Sequence, residues 1–191
     1  MREYIAADNA WYHPNGIRTK LIDRITANNY RALKHYLVLL RKTEYHLNNS
    51  RGSRWHTYHY WYYEGRRSRL GQKLNIEIFP NCFGKGLSLW HAGIVVNPSV
   101  RAGEYCVLHG SNCIGNNGVV DLNPVLGDHV ELGFGTVIIG DITVASKTII
   151  GANAVLNRSV DVVGGTYVGV PARRLLADAE NKEGMEIGEQ R

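Results

Sequence analysis

Residues 126–156 read LGDHVELGFGTVIIGDITVASKTIIGANAVL, and an aliphatic residue falls on every sixth position: Leu126, Leu132, Ile138, Val144, Ile150 and Leu156. The register continues forward to Val162 and back to Ile114, Leu108 and Ala102, with one less regular stretch near residue 120. A helix buries a stripe at period 3.6 and a half-buried strand at period 2, so neither accounts for six. A repeat of flat six-residue sides does. Three sides make one triangular coil, and each aliphatic residue points inward and stacks on its equivalent one coil away, the pattern of a parallel β-helix. Small residues often follow the aliphatic ones (Gly127, Gly133, Ala145, Gly151), which relieves crowding at the corners.

Upstream of residue 75 the period is helical. Ile17, Leu21, Ile22 and Ile25 recur at helical spacing, as do Leu33, Tyr36, Leu37 and Leu40, and a third stretch puts Trp55, Tyr58, His59 and Tyr62 on one face. Asn48 to Gly52 reads as the turn before that stretch. The chain therefore divides into an N-terminal helical region (1–75), a β-helix (76–171) and a polar C-terminal tail (172–191). The helices are expected to cap the first coil, because a solenoid exposes its ends.

Composition narrows the class. A chain of 191 residues with 44% hydrophobic content supports one core and a smaller appendage. No apolar run approaches the roughly 18 residues of a membrane span, and the first residues lack an apolar signal region, so a cytoplasmic protein is expected. Cys82, Cys106 and Cys113 are odd in number and lack CxxC spacing, which suggests reduced thiols. Residues 1–75 hold 14 Lys/Arg against 5 Asp/Glu, and the remainder 8 against 12. Such a basic part can meet nucleic acid, an anionic membrane surface or an acidic glycan, although a solvated helix face is the commoner meaning. The aromatic run YHYWYY (58–63) could form a stacking platform, but packing against a neighbouring element is favoured. No P-loop and no dinucleotide-binding glycine motif is present.

Four segments carry a family resemblance: IEIFPNCFGKGLSLWHAGIVVNP (76–98), CVLHGSNCIGN (106–116), GDITVASKTIIGANAVL (140–156) and GVPARRL (169–175). Together they resemble the hexapeptide-repeat acyltransferases, within them serine acetyltransferase and the serine-acetyltransferase-like enzymes of exopolysaccharide gene clusters. LLRKTEYHLN (39–48) looks like the helical leader of that last branch. The resemblance implies a left-handed parallel β-helix, a homotrimer, and acetyl-CoA bound in a groove between two solenoids.

Acetyl transfer to a hydroxyl needs a base, a group that orients it, and a donor for the developing oxyanion. The family places its catalytic histidine at the position of His91, and a carboxylate in a D/E-I-x-P setting, here Glu77-Ile78-Phe79-Pro80, pairs with it. His109 follows an inward leucine and should face the groove; His129 falls at a corner. The sequence departs from serine acetyltransferase where Trp90 replaces the Asp before the base, and where Leu122 and Asn123 replace an Arg-His pair before Pro124. Those family residues grip the charged ends of serine. Trp90, Leu122 and Asn123 therefore point to a neutral polyol, with Trp90, Asn123 and His109 as candidate acceptor contacts (His109 equally an ordinary exposed histidine). The expected acceptor is a sugar or polysaccharide hydroxyl, with serine as the alternative. The basic helices could then contact a membrane-linked glycan, with no nucleic-acid partner. By position, the thioester donor meets backbone N–H groups at Phe134 and Ala152 with Asn116 near the sulfur, and its phosphates meet Ser146, Lys147, Arg173 and Arg174. No metal is expected, because His91, His109 and His129 occupy unequal places in the repeat and should not converge as in a carbonic anhydrase of this scaffold. A non-enzymatic adaptor is the remaining alternative, and the Glu77/His91 pair argues against it.

Overall fold

A computed structural model of the chain describes residues 1–12, 29–118 and 122–175. The first expected helical stripe (Ile17 to Ile25) and residues 176–191 of the tail lie outside these. Helix α1 (Arg2–Asn9) runs into a short 3-10 turn (Ala10–Tyr12). Helices α2 (Asn29–Asn48) and α3 (Arg54–Leu74) form an antiparallel-type hairpin around the turn at Gly52, which adopts φ +73°. Ser53 caps α3 by accepting a hydrogen bond from the His56 N–H, and Asn75 ends it in the left-handed conformation.

From Ile76 the chain coils as a left-handed parallel β-helix of three sheets. Sheet A stacks β1 (Ile76–Glu77), β3 (Ile94–Val96), β6 (Cys113–Gly115), β9 (Val137–Ile139) and β12 (Val155–Leu156). Sheet B stacks β4 (Arg101–Ala102), β7 (Val125–Leu126) and β10 (Thr143–Val144). Sheet C stacks β2 (Ser88–Leu89), β5 (Val107–Leu108), β8 (Glu131–Leu132), β11 (Ile149–Ile150) and β13 (Thr166–Val168), and β14 (Arg173–Arg174) closes it antiparallel. The inward residues are those of the six-residue period: Leu108, Ile114, Leu126, Leu132, Ile138, Val144, Ile150 and Leu156 are all buried. Each such side chain removed from water contributes on the order of 1.5–3 kcal/mol.

The period fails at one predicted position. Val162 is only half-buried, and Val160 is the residue that pairs with Val144 and faces the core. The last coil is thus two residues shorter at that corner. The irregular stretch near residue 120 is the opposite case: Ala102 and Leu126 are in register across a longer excursion than Leu126 and Val144, with 119–121 outside the described residues.

A parallel stack leaves the backbone of its first coil unpaired on all three sides, and polar side chains from the helices satisfy it. On the sheet A side, Ile78 donates to the Tyr36 hydroxyl at 3.1 Å, and its carbonyl accepts from Arg67 at 2.6 Å. On the sheet B side, Arg41 donates to the carbonyls of Phe83 (2.9 Å) and Gly84 (2.6 Å), and Glu44 accepts from the Asn81 N–H. On the sheet C side, Asp8 accepts from Gly86 (2.7 Å) and Leu87 (3.0 Å), and the Tyr12 hydroxyl accepts from Leu89. Arg41 is 1% exposed and pairs with both Asp8 (2.7 Å) and Glu44 (2.8 Å). Burial pushes the Tyr12 phenol up to about 12.

These contacts also correct two readings of α3. Arg67 is no solvated charge: it is buried and paired with Glu64, and although burial works against its charge, those bonds raise its pKa. Because Arg67 and Gly71 face the solenoid, the aromatic face of α3 turns outward: Trp55, Tyr58 and Tyr62 are exposed, although the Trp55 ring still meets His46 of α2.

Candidate active site

Leu89, Leu108, Leu132 and Ile150 are in register on sheet C, so the residues two positions on share the corner between sheets C and A. They are His91, Gly110, Phe134 and Ala152. Gly110 is required there: a Cβ would lie 2.6 Å from the His91 Cβ, and its φ is +124°. The rings of His91 and Phe134 meet edge-on with centroids 6.2 Å apart. Below His91, the backbone N–H groups of Phe134 and Ala152 have no hydrogen-bond partner among the described residues, while their neighbours Gly133, Gly135, Gly151 and Asn153 all bond to adjacent coils. The corner therefore presents an exposed imidazole above two outward-facing, unpaired donors.

The His91 turn differs from those beneath it. Leu89 pairs with Leu108 and Val95 with Cys113, yet the upper segment holds one more residue than the lower. Gly93, at φ +80°, absorbs the excess and donates to the Leu74 carbonyl at 3.2 Å. The extra residue lets the His91 turn stand out from the corner.

One column towards sheet C lie Trp90, His109, Gly133 and Gly151. The Trp90 and His109 rings stack at 4.0 Å and 16°, and His109 Nε2 is 2.9 Å from Glu131 Oε1. Sequence reasoning missed Glu131; nothing marks it but its place on the next coil, in register with Val107 and diagonal to His109. Glu77 is exposed on β1, in register with Val95, the strand that the His91 turn feeds. No hydrogen bond joins it to His91 among the described residues.

The other expected site residues scatter. Asn116, just past β6, accepts from the Gly118 N–H at 3.2 Å. Ser146 and Lys147 lie on a different corner, between sheets B and C, where Ser146 Oγ accepts from the Asp128 N–H. His129 shares that corner, stacked on Tyr105, so it is remote in the fold from the line of His91. Arg173 and Arg174 are exposed on β14, with Arg173 opposite Val168, near the foot of the His91 corner. Asn123 is buried, and neither polar atom of its side chain has a partner among the described residues. Burial pushes the Cys106 thiol up to about 12, which makes it a packing residue and no nucleophile.

No protein-family profile matches the chain. Among curated proteins it is similar to the serine acetyltransferase of Synechococcus elongatus, 29% identical over 130 residues, covering 62% of this chain and 53% of that one. Among solved structures it is similar to the soybean serine acetyltransferase apoenzyme (25% identical, TM-score 0.66, 91% of this chain and 68% of that one). It is also similar to a serine acetyltransferase in complex with CoA (25% identical, TM-score 0.60, 77% of this chain and 57% of that one). The proteins it resembles are serine acetyltransferases. The chain spans about half the length of the curated relatives it matches.

These relatives overturn the sugar or polysaccharide acceptor, and with it the expected closeness to exopolysaccharide enzymes and the glycan partner. The structure shows why the substitutions misled. Trp90 has one ring face covered by His109, and Asn123 is buried, so neither offers the open polyol surface read from the sequence. No helix among the described residues is long and apolar enough to cross a membrane.

Proposed function

We propose that the chain transfers the acetyl group of acetyl-CoA to the hydroxyl of L-serine, with His91 as the general base. The observation that carries this is the corner line itself: an exposed imidazole placed directly above the unpaired N–H groups of Phe134 and Ala152. Serine Oγ attacks the thioester carbonyl as His91 removes its proton. The C–O bond forms, the C–S bond breaks, and the imidazolium returns the proton to the departing CoA sulfur. Glu77 orients the imidazole once substrate draws the two together, since such contacts tighten in the reacting complex. The free amides, supported at the foot by Arg173 and Arg174, receive the polar groups of the donor. Trp90, held by His109 and Glu131, keeps one face open beside the base for the serine ammonium.

We propose, too, that three chains assemble around the solenoid. Below Glu77, the outward column of sheet A is Val95, Cys113, Val137 and Val155, a flat apolar strip suited to burial against a second copy. A solution mass of about three times 21.4 kDa is expected, and a monomer at micromolar concentration refutes it.

The decisive experiment is thiol release from acetyl-CoA with L-serine. His91→Ala should lower kcat by on the order of 10² to 10⁴ with CoA affinity retained, and Glu77→Gln by less. Wild-type protein that fails to acetylate serine, or His91→Ala at full turnover, overturns the proposal.

A further inference from the structure

Among the described residues, nothing covers the outer face of α3. Trp55, Tyr58, Trp61 and Tyr62 are 58%, 69%, 66% and 47% exposed, four large rings on about two turns of one helix. Isolated exposed apolar residues need no explanation, but a contiguous patch marks a contact surface. Arg54, Arg66, Arg69 and Lys73 stand exposed on the same helix, with Arg51 in the turn before it.

Among the described residues no acid is left to answer these cations. The described acids of residues 1–75 are Glu3, Asp8, Glu44 and Glu64, and each is already paired: with Lys85, with Arg41 (both Asp8 and Glu44) and with Arg67. These ion pairs, three within the helical region and one from Glu3 to Lys85 of the solenoid, engage that region's described acids, and the outward surface of α3 is left basic. Arg66 lies 5.6 Å from the Tyr62 ring centre and is bonded to its hydroxyl, so cation and aromatic form one surface.

We infer that this face of α3 docks on an anionic phospholipid bilayer. Charge selects the partner: a second copy would set arginines against arginines, whereas anionic headgroups complement them. The side chains select among anionic partners. Indole and phenol rings partition to the headgroup boundary, and basic side chains beside them meet the anionic headgroups at the same level. A nucleic-acid strand is held in a basic groove, and these rings stand on the exposed face of a single helix. The protein would thus be held at a membrane surface without crossing it, by residues apart from the acetyl-transfer corner.

The test is co-sedimentation of the full chain with vesicles, alongside the blue shift of tryptophan emission. Binding is expected to vesicles of phosphatidylcholine with roughly one third phosphatidylglycerol, and to be at least about tenfold weaker on phosphatidylcholine alone. Arg54→Gln with Arg69→Gln should weaken it by about fivefold for each charge removed. Tyr58→Ser with Trp61→Ser should abolish the blue shift, with the melting temperature and acetyl-transfer rate unchanged in both variants. Equal binding to neutral vesicles, no binding to anionic ones, tighter binding to an oligonucleotide at equal salt, or loss of self-association in the ring variant overturns the inference.

Discussion

Replacing Gly110 with alanine places a methyl group 2.6 Å from the His91 Cβ and 3.1 Å from the Ala92 carbonyl, where ordinary contact begins at 3.4 Å. One side must yield by about 1 Å, and a displacement of that size at a catalytic group costs about 10²-fold in rate. The backbone cost is separate: φ at Gly110 is +124°, and a side chain there adds about 1–3 kcal/mol of strain. The expected variant is folded, modestly destabilised, near wild-type in CoA affinity and reduced about a hundredfold in kcat. Thiol-release kinetics and thermal melting measure both parts. Gly164→Ala is the control, since Gly164 has φ +73° but nothing within 4 Å of an added Cβ, so it should lose stability without losing kcat. Gly110→Ala with kcat within about twofold of wild type would show that His91 does not act from the corner described.

Other consequences are as direct. Arg41→Met leaves Asp8 and Glu44 buried without their partner and should cost about 3–5 kcal/mol by denaturant unfolding; an unchanged midpoint removes the joint's energetic role. Tyr36→Phe deletes the hydroxyl that pairs with Ile78 and should cost about 1–3 kcal/mol by the same measure, with activity retained at saturating substrate. Burial, then the neighbouring His59 and His56, lower the pKa of His46 from 6.5, so the unfolded chain takes up that proton first. Its stabilising contribution is therefore complete above about pH 6.5 and is lost as pH falls below it. The melting temperature should drop between about pH 7.5 and 5, and drop less in His46→Gln.

The inward aliphatic residues were legible because burial in a regular coil repeats, and a repeat is visible in one dimension. Val160 was not, because the last corner is shorter and the period slips by two residues. The joint between helices and solenoid left no such trace. Asp8, Tyr12, Tyr36, Arg41, Glu44 and Arg67 bind backbone groups far along the chain, and an isolated charge looks the same whether it is solvated or capping an edge. At the site, the residues flanking His91 single it out in one dimension as the candidate base. The Trp90–His109–Glu131 chain could not, since it forms only when three coils are stacked. The acceptor was misread because replaced side chains tell which grip is lost and leave open what takes its place.

The corner line has a metric consequence. His91, Gly110, Phe134 and Ala152 occupy consecutive coils, so the imidazole and the last free amide are three strand spacings apart, about 14 Å. That interval cannot drift by fractions: backbone bonding between coils fixes each step at about 4.8 Å, and only a whole coil can be added or removed. The solenoid is thus a gauge graduated in strands. Any donor gripped at its lower mark and reacting at its upper one must have an arm that fits a whole number of divisions.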